Sequence, residues 1–167
     1  MSEPTTAEML IALRETHRNL PYRESWAFFD ELRVGTGFGH GSEQSMDAFA
    51  IALWPSKHWA SHAYEIKTSR ADFTRELRTP VKRRPALRYS NLFWFVTPEG
   101  LVKPEEVPIE AGLIEVRWRG GGYPRREDWF TDIVLQAPWR DIPPPTWNLF
   151  ASVARRVHRL ENGHGES

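Results

Sequence analysis

The sequence predicts an α/β domain with a mixed β-sheet flanked by helices, and three observations carry that expectation. Two alternating stretches, MDAFAIALW and HAYEIK, are separated by a short turn-like segment, which makes an antiparallel hairpin the economical pairing. A helical segment, SRADFTRELR, then leads into NLFWFVTP, an intensely apolar run ended by Pro98 that reads as a central strand. AGLIEVRW supplies a further strand. Helices and strands therefore alternate as a mixed sheet requires.

Taken in order, AEMLIALRETHR has helical apolar spacing with a Thr upstream to cap it, so a first short helix is expected. Asn19, Leu20 and Pro21 interrupt it. A second helix is expected through YRESWAFFDELR, with Trp26, Phe29 and Leu32 on one side and Glu31 on a neighbouring stripe. VGTGFGHGSEQ holds four glycines in seven positions and reads as a turn, because no GK[ST] follows to make it a phosphate loop. The MDAFAIALW strand sets Asp47, Phe49, Ile51 and Leu53 on one side and three alanines on the other.

Ser69 is the expected cap of the helix after HAYEIK, with Phe73 and Leu77 one turn apart. Pro80 and Pro85 bracket a basic loop, and EGLVKPEEVP reads as a turn or short helix. RGGGYPRREDWF has no firm assignment, and the pattern weakens through TDIVLQAPWRDIPPP. From Thr146 a final helix is expected, with Trp147, Phe150, Ala151, Ala154 and Val157 inward and Arg155, Arg156 and Arg159 outward.

A chain of 167 residues is most simply one domain, here residues 1–160 with a flexible tail at 161–167. Cysteine is absent, which excludes disulfides and thiolate metal sites. No long apolar span and no signal-like N-terminus is visible, so a cytoplasmic protein without a membrane partner is expected. His40, His58 and His62 lack zinc-site spacing and read as surface histidines, with a substrate contact at the hairpin turn the alternative for the last two.

Basic and acidic residues balance at 22 each, but their distribution is polarised. Between Lys67 and Arg88 stand eight basic residues against Asp72 and Glu76. Such a stretch can focus positive potential on one face of a neutral protein and so suit a polyanion, the other reading being a basic surface that is simply solvated. Lys82, Arg83, Arg84 and Arg88 are the candidate phosphate contacts, with Arg70 one turn from Lys67. Among the eight tryptophans, Trp94 sits in the strongest apolar strand and belongs to the core. Trp54 and Trp59, near the hairpin turn, are the surface candidates for stacking.

Asp47 interrupts an apolar strand, where an unpaired carboxylate is unfavourable. Glu65 and Lys67 lie two apart in the next strand and leave it on the same face, with Ile66 turned into the core. If the hairpin brings Asp47 beside Glu65, two hard oxygen donors converge and a divalent cation relieves their repulsion. Mg²⁺ suits such a pair, with Mn²⁺ as substitute, and the Ile66 carbonyl can add a ligand. Lys67 then orients the attacking water or offsets charge on phosphorus. The other reading is a solvated cross-strand charge pattern, since the ExK tripeptide is common.

Asp47 in MDAFAIA together with Glu65 and Lys67 in YEIK resembles the signature of the PD-(D/E)XK nuclease superfamily. Glu31 in FFDELR corresponds to the helical glutamate that many members contribute. The resemblance covers residues 22 to 97 well and extends loosely through AGLIEV. Met46 stands where the motif has proline. The resemblance implies a restriction-endonuclease-like core, catalytic Glu31, Asp47, Glu65 and Lys67, metal ligands Asp47, Glu65, Ile66 and Glu31, and Mg²⁺-dependent cleavage of DNA that leaves a 5′-phosphate. EIKTSRADFTRELR is also similar to small stand-alone members linked to DNA repair or mobile elements.

DNA is the expected partner, with a homodimer or a larger nucleic-acid-processing complex to supply a second site. Two other functions compete: a non-catalytic DNA-binding or structural subunit of a nuclease complex, and an RNA-directed nuclease.

Overall fold

The computed structural model describes residues 3–18, 24–35, 44–120 and 128–163. Among these residues four α-helices flank a six-stranded sheet whose strands lie side by side in chain order. Helix α1 (Thr6–Thr16) starts from a reciprocal capping box between Thr5 and Glu8. Strand β2 (Gln44–Ala52) pairs antiparallel with both β1 (Trp26–Val34) and β3 (Ser61–Ile66). Helices α2 (Arg70–Arg78) and α3 (Arg84–Tyr89) carry the chain back to β4 (Leu92–Pro98), which pairs parallel with β3. Strand β5 (Gly112–Arg119) is parallel to β4, and β6 (Asp128–Leu135) closes the sheet antiparallel to β5. Helix α4 (Trp147–Glu161) follows a stretch containing three successive prolines.

The expected α/β class, the mixed sheet and the antiparallel β2–β3 hairpin are all present. Two apolar layers enclose the sheet. On one face Met9 and Leu13 of α1 pack on Ala48, Ala50, Tyr64 and Trp94, the small alanines letting the helix lie close. On the other, Phe73 of α2, Ala86 of α3 and Leu149 of α4 cover Phe49, Ala63, Phe93 and Phe95.

The helix expected through residues 22–33 is a strand over residues 26–34. Phe29 and Leu32 are both buried in the same layer, as are Met46 and Phe49 opposite them. Inside–outside alternation therefore slips by one residue on both strands, at the facing positions Glu31 and Asp47. Glu31 takes up the slip with a left-handed backbone, φ 50°. A spacing of three between buried residues imitates a helical stripe, which is why the pattern misleads.

Three other readings also change. The basic loop is a 3₁₀ turn at Pro80–Arg83 that runs into α3. The weakly patterned TDIVL lies in β6. In α4 the inward residues are Leu149, Ser152 and Val153, whereas Trp147 is 83 % exposed and Phe150 62 %. Apolar residues occur around most of that helix, so periodicity does not select its inner face. The interruption at residues 19–21, most of the glycine-rich turn, His40, residues 121–127 and the end of the expected tail lie outside the described residues.

Candidate active site

Asp47, Glu65 and Lys67 come together at the end of the hairpin away from its turn. The β2–β3 ladder runs from Ile51↔Ser61 to Ala48↔Tyr64. One residue beyond it, Asp47 Oδ2 accepts a hydrogen bond of 2.8 Å from the Ile66 backbone N–H. The side chain thereby continues the ladder and links the two sequence motifs directly. Lys67 is anchored by its own N–H, which donates to the Val96 carbonyl at 2.9 Å. Its Nζ donates to Glu65 Oε1 at 3.0 Å.

A residue not singled out from the sequence completes the cluster. Glu76 of α2 is buried, and its Oε2 lies 3.6 Å from Lys67 Nζ. Its Oε1 is enclosed and accepts no hydrogen bond among the described residues, although Arg83 Nη1 lies 3.8 Å away. Arg83 is itself buried; Nη1 donates to the Glu76 carbonyl at 3.2 Å and Nη2 to Glu110 Oε1 at 3.1 Å. Helical spacing from Phe73 places Glu76 on the inner side of α2, and that was the available signal. The role of Arg83 required the tertiary structure.

Burial raises the Asp47 carboxyl above its ordinary value, against the opposing effects of the Ile66 hydrogen bond and Lys67. Glu65 is pushed up to about 7, first by burial and then by the neighbouring charge of Asp47. For Lys67 burial favours the neutral amine, but the contact with Glu65 and the charges of Glu76 and Asp47 outweigh it and raise its value. The result is a fixed ammonium beside carboxylates that repel one another.

Glu31 does not sit on a helix beside this cluster. It faces Asp47 across β1–β2 as an exposed strand residue, and its Oε1 accepts from Arg33 Nε at 2.9 Å and Nη2 at 2.6 Å. Its charge nonetheless contributes to raising Asp47. Among the described residues no three His, Asp or Glu side chains are arranged around a common metal position. Asp47 and Glu65 place two carboxylates on adjacent strands, one accepting a hydrogen bond from the Ile66 N–H and the other from Lys67 Nζ. This fits Mg²⁺, which takes one or two carboxylates and draws further oxygens from water and phosphate.

No model of a known protein family matches the chain, and no curated protein does. A solved structure, a protein of unknown function from Silicibacter pomeroyi, matches with a TM-score of 0.54 at 20% identity, covering 93% of this chain and 92% of that one. The whole fold is therefore shared with that protein.

The candidate DNA contacts divide by environment. Lys82, Arg84 and Arg88 are exposed. Arg70 is exposed but ion-paired with Glu106, one contact measuring 2.7 Å. Arg83 is withdrawn from the surface by its buried pairing, so it cannot meet a phosphate as expected from sequence. Arg75 and Arg78, not among the phosphate contacts expected from sequence, join Arg70 along a shallow groove of about 550 Å³ on α2.

His62 is not a surface histidine. With His17, Tyr64, Trp26 and Trp94 it forms a close aromatic cluster on the α1 face. His17 Nε2 and Tyr64 Oη are hydrogen-bonded, and Tyr64 Oη lies 3.2 Å from His62 Nδ1. No helix among the described residues is long and apolar enough to cross a membrane.

Proposed function

We propose that this protein is a divalent-cation-dependent nuclease that hydrolyses phosphodiester bonds in DNA, with Asp47, Glu65 and Lys67 as its catalytic residues. The observation that carries this reading is the 2.8 Å bond from the Ile66 N–H to Asp47 Oδ2, next to the 3.0 Å contact of Lys67 with Glu65. It draws both motifs into one polar cluster at the end of a core strand. A plain surface salt bridge would need neither the burial nor the link to Asp47.

In this reading Asp47 and Glu65 hold a Mg²⁺ ion, with the Ile66 carbonyl as a further oxygen donor and Mn²⁺ as substitute. The cation supplies an acidified water and charge neutralisation at phosphorus. Lys67 would donate to the attacking water or to a non-bridging phosphate oxygen, and its position, held by Glu65 and Glu76, would lower the reorganisation needed at reaction. Glu76 acts through Lys67 and positions its ammonium. Lys82, Arg84 and Arg88 offer exposed charge for the DNA backbone, and Arg70, Arg75 and Arg78 border a second basic groove. DNA repair or mobile-element biology is the setting proposed for it, and a homodimer would provide a second cut.

The test is cleavage of supercoiled, single-stranded, branched and RNA substrates side by side in Mg²⁺. The reading expects cutting of at least one DNA form, lost in Asp47→Ala, Glu65→Ala and Lys67→Ala with circular dichroism unchanged. Equal activity in all three variants sinks the catalytic assignment. Cutting confined to RNA reassigns the substrate.

A further inference from the structure

Two further cavities lie beyond the Asp47–Glu65–Lys67 cluster, on the same side of the sheet as α3 and α4. The first, of about 310 Å³, is lined by His58, Trp59, Tyr89, three prolines of the segment before α4, and Leu149. The second, of about 260 Å³, is lined by Val34, Arg84, Pro85, Arg88, Tyr89 and Asn148. Tyr89 is a wall of both, and its hydroxyl lies 3.2 Å from Thr146 Oγ1, between the residues that line the two cavities. One is aromatic and apolar; the other presents two guanidinium groups. Among the described residues neither Arg84 nor Arg88 is in an ion pair.

The aromatic cavity is built under backbone strain. His58 and Trp59 both have left-handed φ, 55° and 51°, a conformation unfavourable for side chains of this size. The strained turn leaves Trp59 56 % exposed while it forms part of the wall. Beneath it the polar groups are already used. Ser61 Oγ donates to the Tyr89 carbonyl at 2.9 Å, Asn91 Oδ1 accepts from the Ser61 N–H at 3.0 Å, and Asn91 Nδ2 donates to the Arg140 carbonyl at 2.9 Å. Such a floor offers a ring surface and little to read its edges.

We infer that these adjoining cavities bind one unpaired nucleotide of a DNA strand, its base against Trp59 and Tyr89 and its phosphate on Arg84 and Arg88. The inference rests on DNA being the partner proposed above. Stacking on aromatic walls accepts any base, while arginines fix the backbone. An apolar side chain from a partner protein would fill the first cavity but leave the guanidinium pair unmatched. The topology also orders the two parts. Val34, at the end of β1 paired with Gln44, sets the basic cavity toward the same end of the sheet as Asp47 and Glu65. Ser61 sets the aromatic one toward the hairpin turn, four residues or on the order of 13 Å along β3 from Glu65. A single strand leaving the catalytic cluster would meet the arginines first and Trp59 next.

The test is fluorescence anisotropy in EDTA, with a short labelled oligothymidylate and a blunt duplex of equal length as probes. Trp59→Ala should bind the single strand roughly tenfold more weakly, with duplex binding altered less than about twofold. Trp59→Phe, which keeps a ring, should recover most of the loss. The Arg84→Ala, Arg88→Ala double variant should weaken single-strand binding and flatten its salt dependence. Single-strand affinity unchanged in Trp59→Ala, or lost equally for both probes, overturns the inference. Because no divalent cation is present, the catalytic reading is judged separately. Trp59-dependent binding without cleavage of any substrate keeps this site and removes the nuclease. Cleavage that depends on Asp47, with oligothymidylate binding indifferent to Trp59, does the reverse.

Discussion

Strand β3 presents titratable groups to both sides of the sheet, and the two sides treat them differently. Toward α1 lie His62 and Tyr64; toward α2 lie Glu65 and, just past the strand, Lys67. His17 is buried and His62 half-buried, neither with a carboxylate at hand, and this enclosure holds them down to about 3 and about 4. Burial likewise drives the Tyr64 hydroxyl upward. Around Glu65 and Lys67 burial is as real, but opposite charges face one another and the ammonium is retained. Enclosure alone silences a group; enclosure with a counter-charge keeps it ionised and fixed in place. That difference separates a neutral hydrogen-bonded cluster on one side of β3 from a charged, ion-paired one on the other.

The largest expected effect breaks the comparison at Lys67. Lys67→Ala should reduce Mg²⁺-dependent cleavage by at least about a hundredfold, the scale of losing a preorganised electrostatic group. Tyr64→Phe, on the opposite side, should leave the rate near wild type; a quench-and-gel time course on one DNA substrate compares them. A second probe is Glu76→Ala, which strips Arg83 and Lys67 of a buried partner. Removing one member of a buried pair costs about 3 kcal/mol, measured by urea unfolding. Glu76→Gln keeps the shape and should restore most of that stability while cleavage stays reduced, as expected of a residue that positions Lys67.

The α1 face is tested by acid. The folded values of His17 and His62 lie below the ordinary 6.5, so the unfolded chain takes up protons first. The stability these histidines contribute is complete above pH 6.5 and is lost as pH falls toward their folded values. By about pH 5 the loss should be about 2 kcal/mol for each histidine, read from denaturation midpoints across the pH range. His62→Gln should flatten its share of the slope. The smallest effect is Tyr64→Phe, which removes a buried hydroxyl with two histidine contacts and should destabilise the fold by about 1 kcal/mol.

These regions also differ in how much of them could be read from sequence. Asp47, Glu65 and Lys67 were legible because strand alternation and a short turn suffice to bring them near one another. Ser69 and Thr146 announced their helices by capping, and their side chains accept from the Asp72 and Leu149 N–H groups. Strand β1 was hidden because a slip at Glu31 spaces Phe29 and Leu32 like helical neighbours. The pairing of Arg83 with Glu76 and Glu110 was also hidden, since a run of basic residues carries no sign of which one turns inward. The joining of His17 to His62 depends on α1 lying across the sheet, and nothing local records that.

Binding of Mn²⁺ by calorimetric titration, without DNA, tests most directly whether the carboxylate side of β3 is a metal-dependent site. One ion per chain is predicted for the wild-type protein and for His62→Gln, with binding lost in Asp47→Ala and Glu65→Gln. Undiminished binding in both carboxylate variants, or binding that disappears with His62 instead, would contradict the account.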